Sequence, residues 1–359
     1  MSPLSDLTRV ERSALGAVVV LTVLAAIGRY AHGISDTIAF VLAALALAGL
    51  DWVVGFCTEQ VGKRFGSAIT GTLQSTVGNL PEFFVVLFAL QARDTVVAQS
   101  AILGSILVNA LLVLGIVLLV GALRAPDGIM RFSPRLPNDT ATLTLAASFL
   151  IVLLGIVNFS HDPAAHHTRV ISVIGAILLL GVYATWLPRY LRDGAGPAVA
   201  EQRTPPRVGL RTSVTLLITA GIGSAFVSDW FVHALEPTIH AAHISPTFAG
   251  IVIVAIAGNA VENFAGVYLA VKGQSDLAIS VVKTSVAQLV AFLYPLLVLV
   301  SLLTAGSLTF ALAPVFVGAL FGTAILVWQI TGDGEATPFE GAALIAMYLI
   351  VAVIAAFGH

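Results

Sequence analysis

The sequence predicts an all-α polytopic membrane protein of about eleven transmembrane helices. They fall into two inverted five-helix repeats behind an extra N-terminal helix, with the N-terminus inside and the C-terminus outside. Three observations predict this. Of the 359 residues, 58% are hydrophobic and only 10% are charged, with a mean hydropathy of +0.99, whereas a soluble domain carries about 25% charged residues. Basic residues segregate to alternate links between the apolar runs. A five-residue motif recurs at an offset of 180 residues. No single globular core needs so much apolar chain, but a bundle of spanning helices does.

The spans read in order as 13–29, 35–56, 66–90, 95–120, 140–158, 168–188, 211–232, 245–271, 276–303, 308–329 and 340–357. The first follows MSPLSDLTRVERSALGAVVV, where Asp6 and Glu11 stand among the basic residues and no small-residue cleavage site appears. It is a retained span rather than a signal peptide. With the N-terminus inside, 13 of the 17 Lys and Arg lie in cytoplasmic links, and only Arg29, Arg93 and Arg169 lie outside. The remaining one, Lys283, stands inside a span. A miscounted helix would flip every later link and scramble this bias. The organisation is therefore an extra helix (1–34), a first five-helix repeat (35–188), a basic Pro/Gly-rich cytoplasmic linker (189–210) and a second, inverted repeat (211–359).

Several function classes drop out. The net charge of −2 gives no electrostatic footprint for nucleic acid, and Cys57, the single cysteine, permits no intramolecular disulfide. No GxxxxGK[ST], HExxH or CxxC occurs, so neither an ATP-driven pump nor a zinc site is indicated. The acidic link TGDGEATPFE (331–340) lacks EF-hand spacing. No cofactor is expected. Six of the eight His (161, 166, 167, 233, 240 and 243) fall in outside links, and Asp229 and Glu236 flank the same outside region. A solvated surface accounts for them, and ion recruitment or pH sensing is the sharper alternative.

The repeated motif is GNLPE at 78–82 and GNAVE at 258–262. The same offset aligns Ala98 with Ala278, Ser100 with Ser280 and Ser105 with Ser285. The second copy lies five predicted spans on from the first, and an odd step sets them in opposite orientations, a plan that recurs in secondary transporters with midplane sites. Gly78 and Gly258 weaken the helix, while Asn79 and Asn259 are good N-cap residues. An acid three positions on can reach back as in a capping box, and Pro81 suits a first helical turn. Each motif thus reads as one half-helix stopping and another starting. Such a break survives at membrane depth only when buried in protein or lining a wet cavity. Glu82 and Glu262 then stand in the first turns of the new half-helices. A kink-capping role would suffice for one copy, but two carboxylates, each costing about 2–3 kcal/mol to insert, favour a shared site. Together with amide and freed carbonyl oxygens they suit a hard divalent cation such as Ca²⁺.

With these residues in hand, the sequence resembles the calcium/cation antiporter superfamily and, within it, the cation/proton exchangers. The likeness is carried by GTLQSTVGNLPEFFVVLFAL (71–90), QSAILGSILVNALLVLG (99–115) and GIVIVAIAGNAVENFAGVYLAVKGQSDLAISVVKTSVAQ (250–288), and extends to FCTEQVGKRFG (56–66). The resemblance implies an antiporter exchanging Ca²⁺ or a related cation for H⁺ by alternating access. Glu82 and Glu262 would bind cation and protons competitively, and Asn79 and Asn259 would coordinate or hold the break. Gly78 and Gly258 would free backbone ligands, and Gln99, Ser105, Ser285 and Gln288 would line the cavity. Helix–helix hydrogen bonding explains those four equally well. Its partners are inorganic cations, protons and lipid, in a prokaryotic cell membrane, with the oligomeric state open.

Departures from the family pattern are Asn263 where His is frequent after the second Glu, Thr284 where a Gly-Ser pair begins, and Val108 in place of a small hydroxyl residue. Lys283 is the largest. In the cavity its charge would modulate cation binding; on an ideal helix it lies about 160° from Ser285, toward another face. Sodium coupling within the same superfamily, a cation channel and an intramembrane hydrolase are the alternatives. The GN before each acid favours the proton-coupled branch over the sodium-coupled pattern GTS-x-PE, and no hydrolase signature is present.

Overall fold

The computed structural model describes residues 7–31, 33–65, 78–193 and 206–358, without the side chains of 62–65, 135–137, 190–193 and 261–263. Residues 66–77 of the predicted third span, 194–205 of the linker and the Glu262 side chain thus lie outside the described residues. The helices are α1 (Arg9–Tyr30), α2 (Asp36–Phe65), α3 (Leu80–Gln91), α4 (Thr95–Arg124), α5 (Arg135–Phe159), α6 (Thr168–Asp193), α7 (Leu210–Ala241), α8 (Pro246–Gly258), α9 (Ala260–Val271), α10 (Ser275–Leu303), α11 (Pro314–Thr331) and α12 (Pro338–Phe357). Two short strands, β1 (Met130–Arg131) and β2 (Glu335–Ala336), pair antiparallel. Among the described residues nine helices are long and apolar enough to cross a bilayer, and α3 and α8 are shorter apolar helices.

Local chemistry sets the helix ends. Thr8 and Glu11 form a capping box at α1, and Asp94 accepts the Val97 N–H at the start of α4. Ser245 caps α8 ahead of Pro246, and Thr337 with Glu340 boxes α12 ahead of Pro338. Three predicted span ends move. The second helix runs on to Phe65 rather than stopping at 56, and the seventh continues through Pro237 to Ala241. The tenth begins at Pro314 rather than 308, because Pro314 takes the first-turn position and residues 308–313 run as a non-helical link. Within α4, α8 and α10, Val108–Val113, Ala249–Val254 and Leu289–Leu293 are wound as π-helix.

The chain divides into two compact units. One comprises Met1–Ala89, Trp186–Ile244 and Ala257–Val261. In it α2 pairs antiparallel with α7: Phe40 packs on Phe231, Gly223 abuts Leu50, and Gln60 accepts the Arg207 N–H. Gly28 against Ala39 and Gly49 against Val18 set α1 antiparallel to α2.

The other unit comprises Leu90–Thr185, Ser245–Ile256 and Glu262–His359. Here glycines let backbones meet: a Cβ on Gly104 would stand 2.5 Å from the Ile251 Cα, and one on Gly341 would stand 2.6 Å from the Gly115 carbonyl. The β1–β2 ladder joins the α4–α5 link to the α11–α12 link, and the Ser133 N–H donates to Asp276 at 2.6 Å. Arg131 bonds Asp127 and Glu335 across this ladder. Its hydrogen bond, first, and the Ile129 amide hold the Asp127 carboxyl below the usual carboxylate range. All three side chains are solvated, so the clasp adds little stability. At the opposite end the Gly306 N–H donates to Leu90 and Ser245 Oγ to Ala355.

Candidate functional site

Both motifs adopt the broken geometry their residues predict. Gly78 and Asn79 form a turn and α3 starts at Leu80; α8 ends at Gly258, Asn259 is a turn, and α9 starts at Ala260. Glu82 and Glu262 are each the third residue of the helix that follows. The Asn79 carbonyl accepts the Phe83 N–H at 3.0 Å, which puts Asn79 at the cap position of α3.

The expected side-chain capping by Asn79 is not made. Its Oδ1 and Nδ2 are both buried and bond no other described residue, and the side chain is 2% exposed. A buried amide left without a partner costs about 1–3 kcal/mol, and among the described residues the Asn79 side chain does not serve the cap. Glu82 is 5% exposed. A Cβ built on Gly258 would lie 3.4 Å from Glu82 Cγ and 3.8 Å from its Oε1. The acid of the first motif therefore lies over the bare backbone of the second. Asn259, next in the chain, is fully buried at 0% exposure. Ser228 of α7 donates to the Pro81 carbonyl at 3.5 Å, bracing the first turn of α3.

The four cavity candidates are located in the larger unit. Ser105, Ser285 and Gln288 are buried, and Gln99 is half-buried with its Nε2 donating to the Ala311 carbonyl at 3.5 Å. Lys283 is 3% exposed, and its Nζ donates to Thr331 Oγ1 at 2.8 Å. Thr331 passes its own proton to the Val327 carbonyl, so a lone pair faces the ammonium. Around it Ala110, Thr144, Thr323 and Ala324 line a cavity of about 10 Å³, room for about one water. Sequence reasoning passed over Asp51 and Asn109, both buried in helices. Asn109 lies in the π-wound stretch of α4 and donates to the Ser105 carbonyl. The signal for each was a polar residue in an apolar run, without a second copy to draw attention.

The broken helices and their buried acid and amide define a membrane transporter of the cation-exchanger kind. The chain belongs to the sodium/calcium exchanger protein family, whose pattern matches residues 35–188 and 212–357. Within it the chain sits with the calcium and cation/proton exchangers. It is 31% identical over 319 residues to a vacuolar calcium ion transporter of Schizosaccharomyces pombe, covering 87% of this chain and 77% of that one. It is 29% identical over 351 residues to a Ca²⁺/H⁺ antiporter of a Synechocystis species, covering 91% and 92%. Among solved structures the Ca²⁺/H⁺ antiporter YfkE superposes with a TM-score of 0.80 at 25% identity, covering 96% of this chain and 99% of that one.

Proposed function

We propose that this chain exchanges Ca²⁺ for H⁺ across a prokaryotic cell membrane by alternating access, with Glu82 and Glu262 as paired acids that bind cation or protons in turn. The observation that carries the reading is Glu82 itself. It is a buried carboxylate in the first turn of a restarted helix, laid against Gly258 and near an Asn79 amide bonded to no described residue. Oxygen donors of this kind suit a hard divalent cation. Two carboxylates in a low-dielectric site repel each other, so the pair holds either a cation or protons. Only the neutralised site crosses between facing states, which couples the two flows without covalent chemistry. Asn79 and Asn259 supply amide oxygens, Gly78 and Gly258 free the backbone, and Gln99, Ser105, Ser285 and Gln288 line the path.

An eleven-span, N-in and C-out topology accompanies this reading, with repeats 35–188 and 211–359 inverted about the linker. Contacts within each unit support it. Links assigned to the cytoplasm meet each other at the β1–β2 ladder, at Ser133 with Asp276, and at Arg207 with Glu11 and Gln60. Links assigned outside meet at Gly306 with Leu90 and at Ser245 with Ala355. The π-wound stretches at 108–113 and 289–293 fall within one residue of the 180-residue offset.

The deciding measurement is radioactive calcium uptake into inverted vesicles with an imposed inward-acid gradient, with and without sodium. Sodium-free uptake driven by the gradient is expected, and Glu82→Gln or Glu262→Gln should cut it by about tenfold or more, since each removes a charged ligand. Exchange at the wild-type rate in Glu82→Gln would falsify the assignment of the acids. Uptake that needs sodium overturns proton coupling, and an uncoupled unitary current would make the protein a channel.

A further inference from the structure

At the end of the α1–α2 pair, in the unit that holds Glu82, lies a cavity of about 220 Å³ with a lining unlike the apolar helix faces around it. It is smaller than the pockets of about 300–1,000 Å³ that take drug-sized ligands. Its walls come from the end of α1, from Ala31, Gly33 and Ile34, from the start of α2 and from the middle of α7. Gly28 and Gly33 both lie in the wall, and Gly33 takes the turn conformation at φ +96°.

The polar groups facing the cavity are Arg29, Asp36, His233 and Trp230. Trp230 is 9% exposed, and its indole Nε1 is buried with no hydrogen-bond partner among the described residues. The Arg29 Nε is buried in the same condition, and its guanidinium stands 5.3 Å over the Tyr30 ring, which meets Trp230 edge-on. Indole and guanidinium nitrogens are donors only. Two buried donors without acceptors among the described residues therefore point to an anionic ligand oxygen, and a guanidinium matches phosphate geometry. Asp36 is exposed at the rim and is the only carboxylate in the lining among the described residues. It opposes a plain anion and suits a ligand whose other end is a cation able to donate hydrogen bonds.

We infer that this pocket binds the phosphoethanolamine head of a membrane phospholipid, with the phosphate on Arg29 and Trp230 and the primary ammonium on Asp36. His233 supplies a further imidazole nitrogen to the same cavity. The lipid source, rather than a free phosphoethanolamine, follows from the surroundings. Val23, Leu24 and Ile27 of α1, Ile38 of α2 and Phe226 of α7 are all exposed apolar side chains on membrane-length helices. They offer acyl chains a path beside the pocket, and Tyr30 and Trp230 are the aromatic types that favour the headgroup level.

The test is native mass spectrometry of the full-length protein in detergent, with equimolar phosphatidylethanolamine, phosphatidylcholine and phosphatidylglycerol and, separately, soluble phosphoethanolamine. Phosphatidylethanolamine adducts should exceed the other two by at least about fivefold. Trp230→Phe, which keeps the ring and removes a donor to the phosphate that all three lipids carry, should lower the phosphatidylethanolamine adduct at least about threefold, and Asp36→Asn should bring phosphatidylglycerol up to parity. Arg29→Gln serves as a third variant, and the Trp230→Phe result stands even if that one does not fold. Equal retention of the three lipids by the wild type, or an unchanged phosphatidylethanolamine adduct in Trp230→Phe, overturns the proposal. Soluble phosphoethanolamine displacing the lipid at equal concentration overturns the lipid source. Because the readout is binding, it does not depend on which ions the protein exchanges.

Discussion

Gly258 has no side chain to keep Glu82 away, and that bare backbone sets a graded limit on substitution. A methyl group at that position comes to 3.4 Å from Glu82 Cγ, the edge of ordinary contact, whereas a longer chain must push the acid aside. Gly258→Ala is expected to fold and to keep most calcium uptake, and Gly258→Leu to weaken apparent calcium affinity by about tenfold, or about 1.4 kcal/mol. Transport titrations on both variants check this; equal affinities would mean that Glu82 is not the ligand. Lys283 makes a second, separate case, because it is tied to Thr331 in the larger unit. Replacing a buried charge by an apolar chain of like volume is often neutral or stabilising. Removing an acceptor from a charge that stays costs about 1–3 kcal/mol. Lys283→Met should therefore melt at or above the wild-type temperature, and Thr331→Val below it. The pairing with Thr331 was not legible in the sequence, since 48 residues separate the partners and the packing of both α10 and α11 against α5 brings them together. The place of Asn79 at the cap was legible, but the turning of its side chain away from the cap was not. Capping statistics describe helices in water, whereas this amide is buried.

Helix positions were read closely from hydropathy because apolar length and Pro, Gly and cap residues are local signals. The ends that moved did so for reasons hydropathy cannot weigh. Polar and basic residues of 57–65 extend α2 as ordinary helix, and Pro314 delays α11. The π-wound stretches carry no residue signature of their own. Helix crossings were not legible: the approach of Gly104 to Gly250–Ile251 is set by the fold. That crossing yields a sharp expectation. A Cβ at Gly104 would meet the Ile251 Cα and the Gly250 and Ile251 carbonyls inside 3 Å, all of them backbone that cannot rotate away. Gly104→Ala should destabilise the protein by about 1–3 kcal/mol through overpacking. Gly16→Ala, with open space around it, should instead be silent. Thermal unfolding of the two variants side by side separates a crossing effect from a general glycine effect.

For the whole molecule, sidedness is the property most directly derived from charge, and the chain is well suited to testing it. Its single cysteine, Cys57, is fully buried, so the wild type should resist a membrane-impermeant maleimide. Pro126→Cys and Asp333→Cys, in links joined by the β1–β2 ladder, should label only from the cytoplasmic face, and Ala305→Cys only from outside. Labelling of all three from one face would break the eleven-span count. The contact between Glu82 and Gly258 also bears on how such a chain can change over time. The carboxylate of one motif rests on the backbone of the other, 176 positions away in the chain. Neither segment is a free module. Anyone recombining relatives should expect a chimera that imports 71–90 without 250–265 to lose activity, and the paired exchange to regain it. The two stretches form one hereditary unit written in two places.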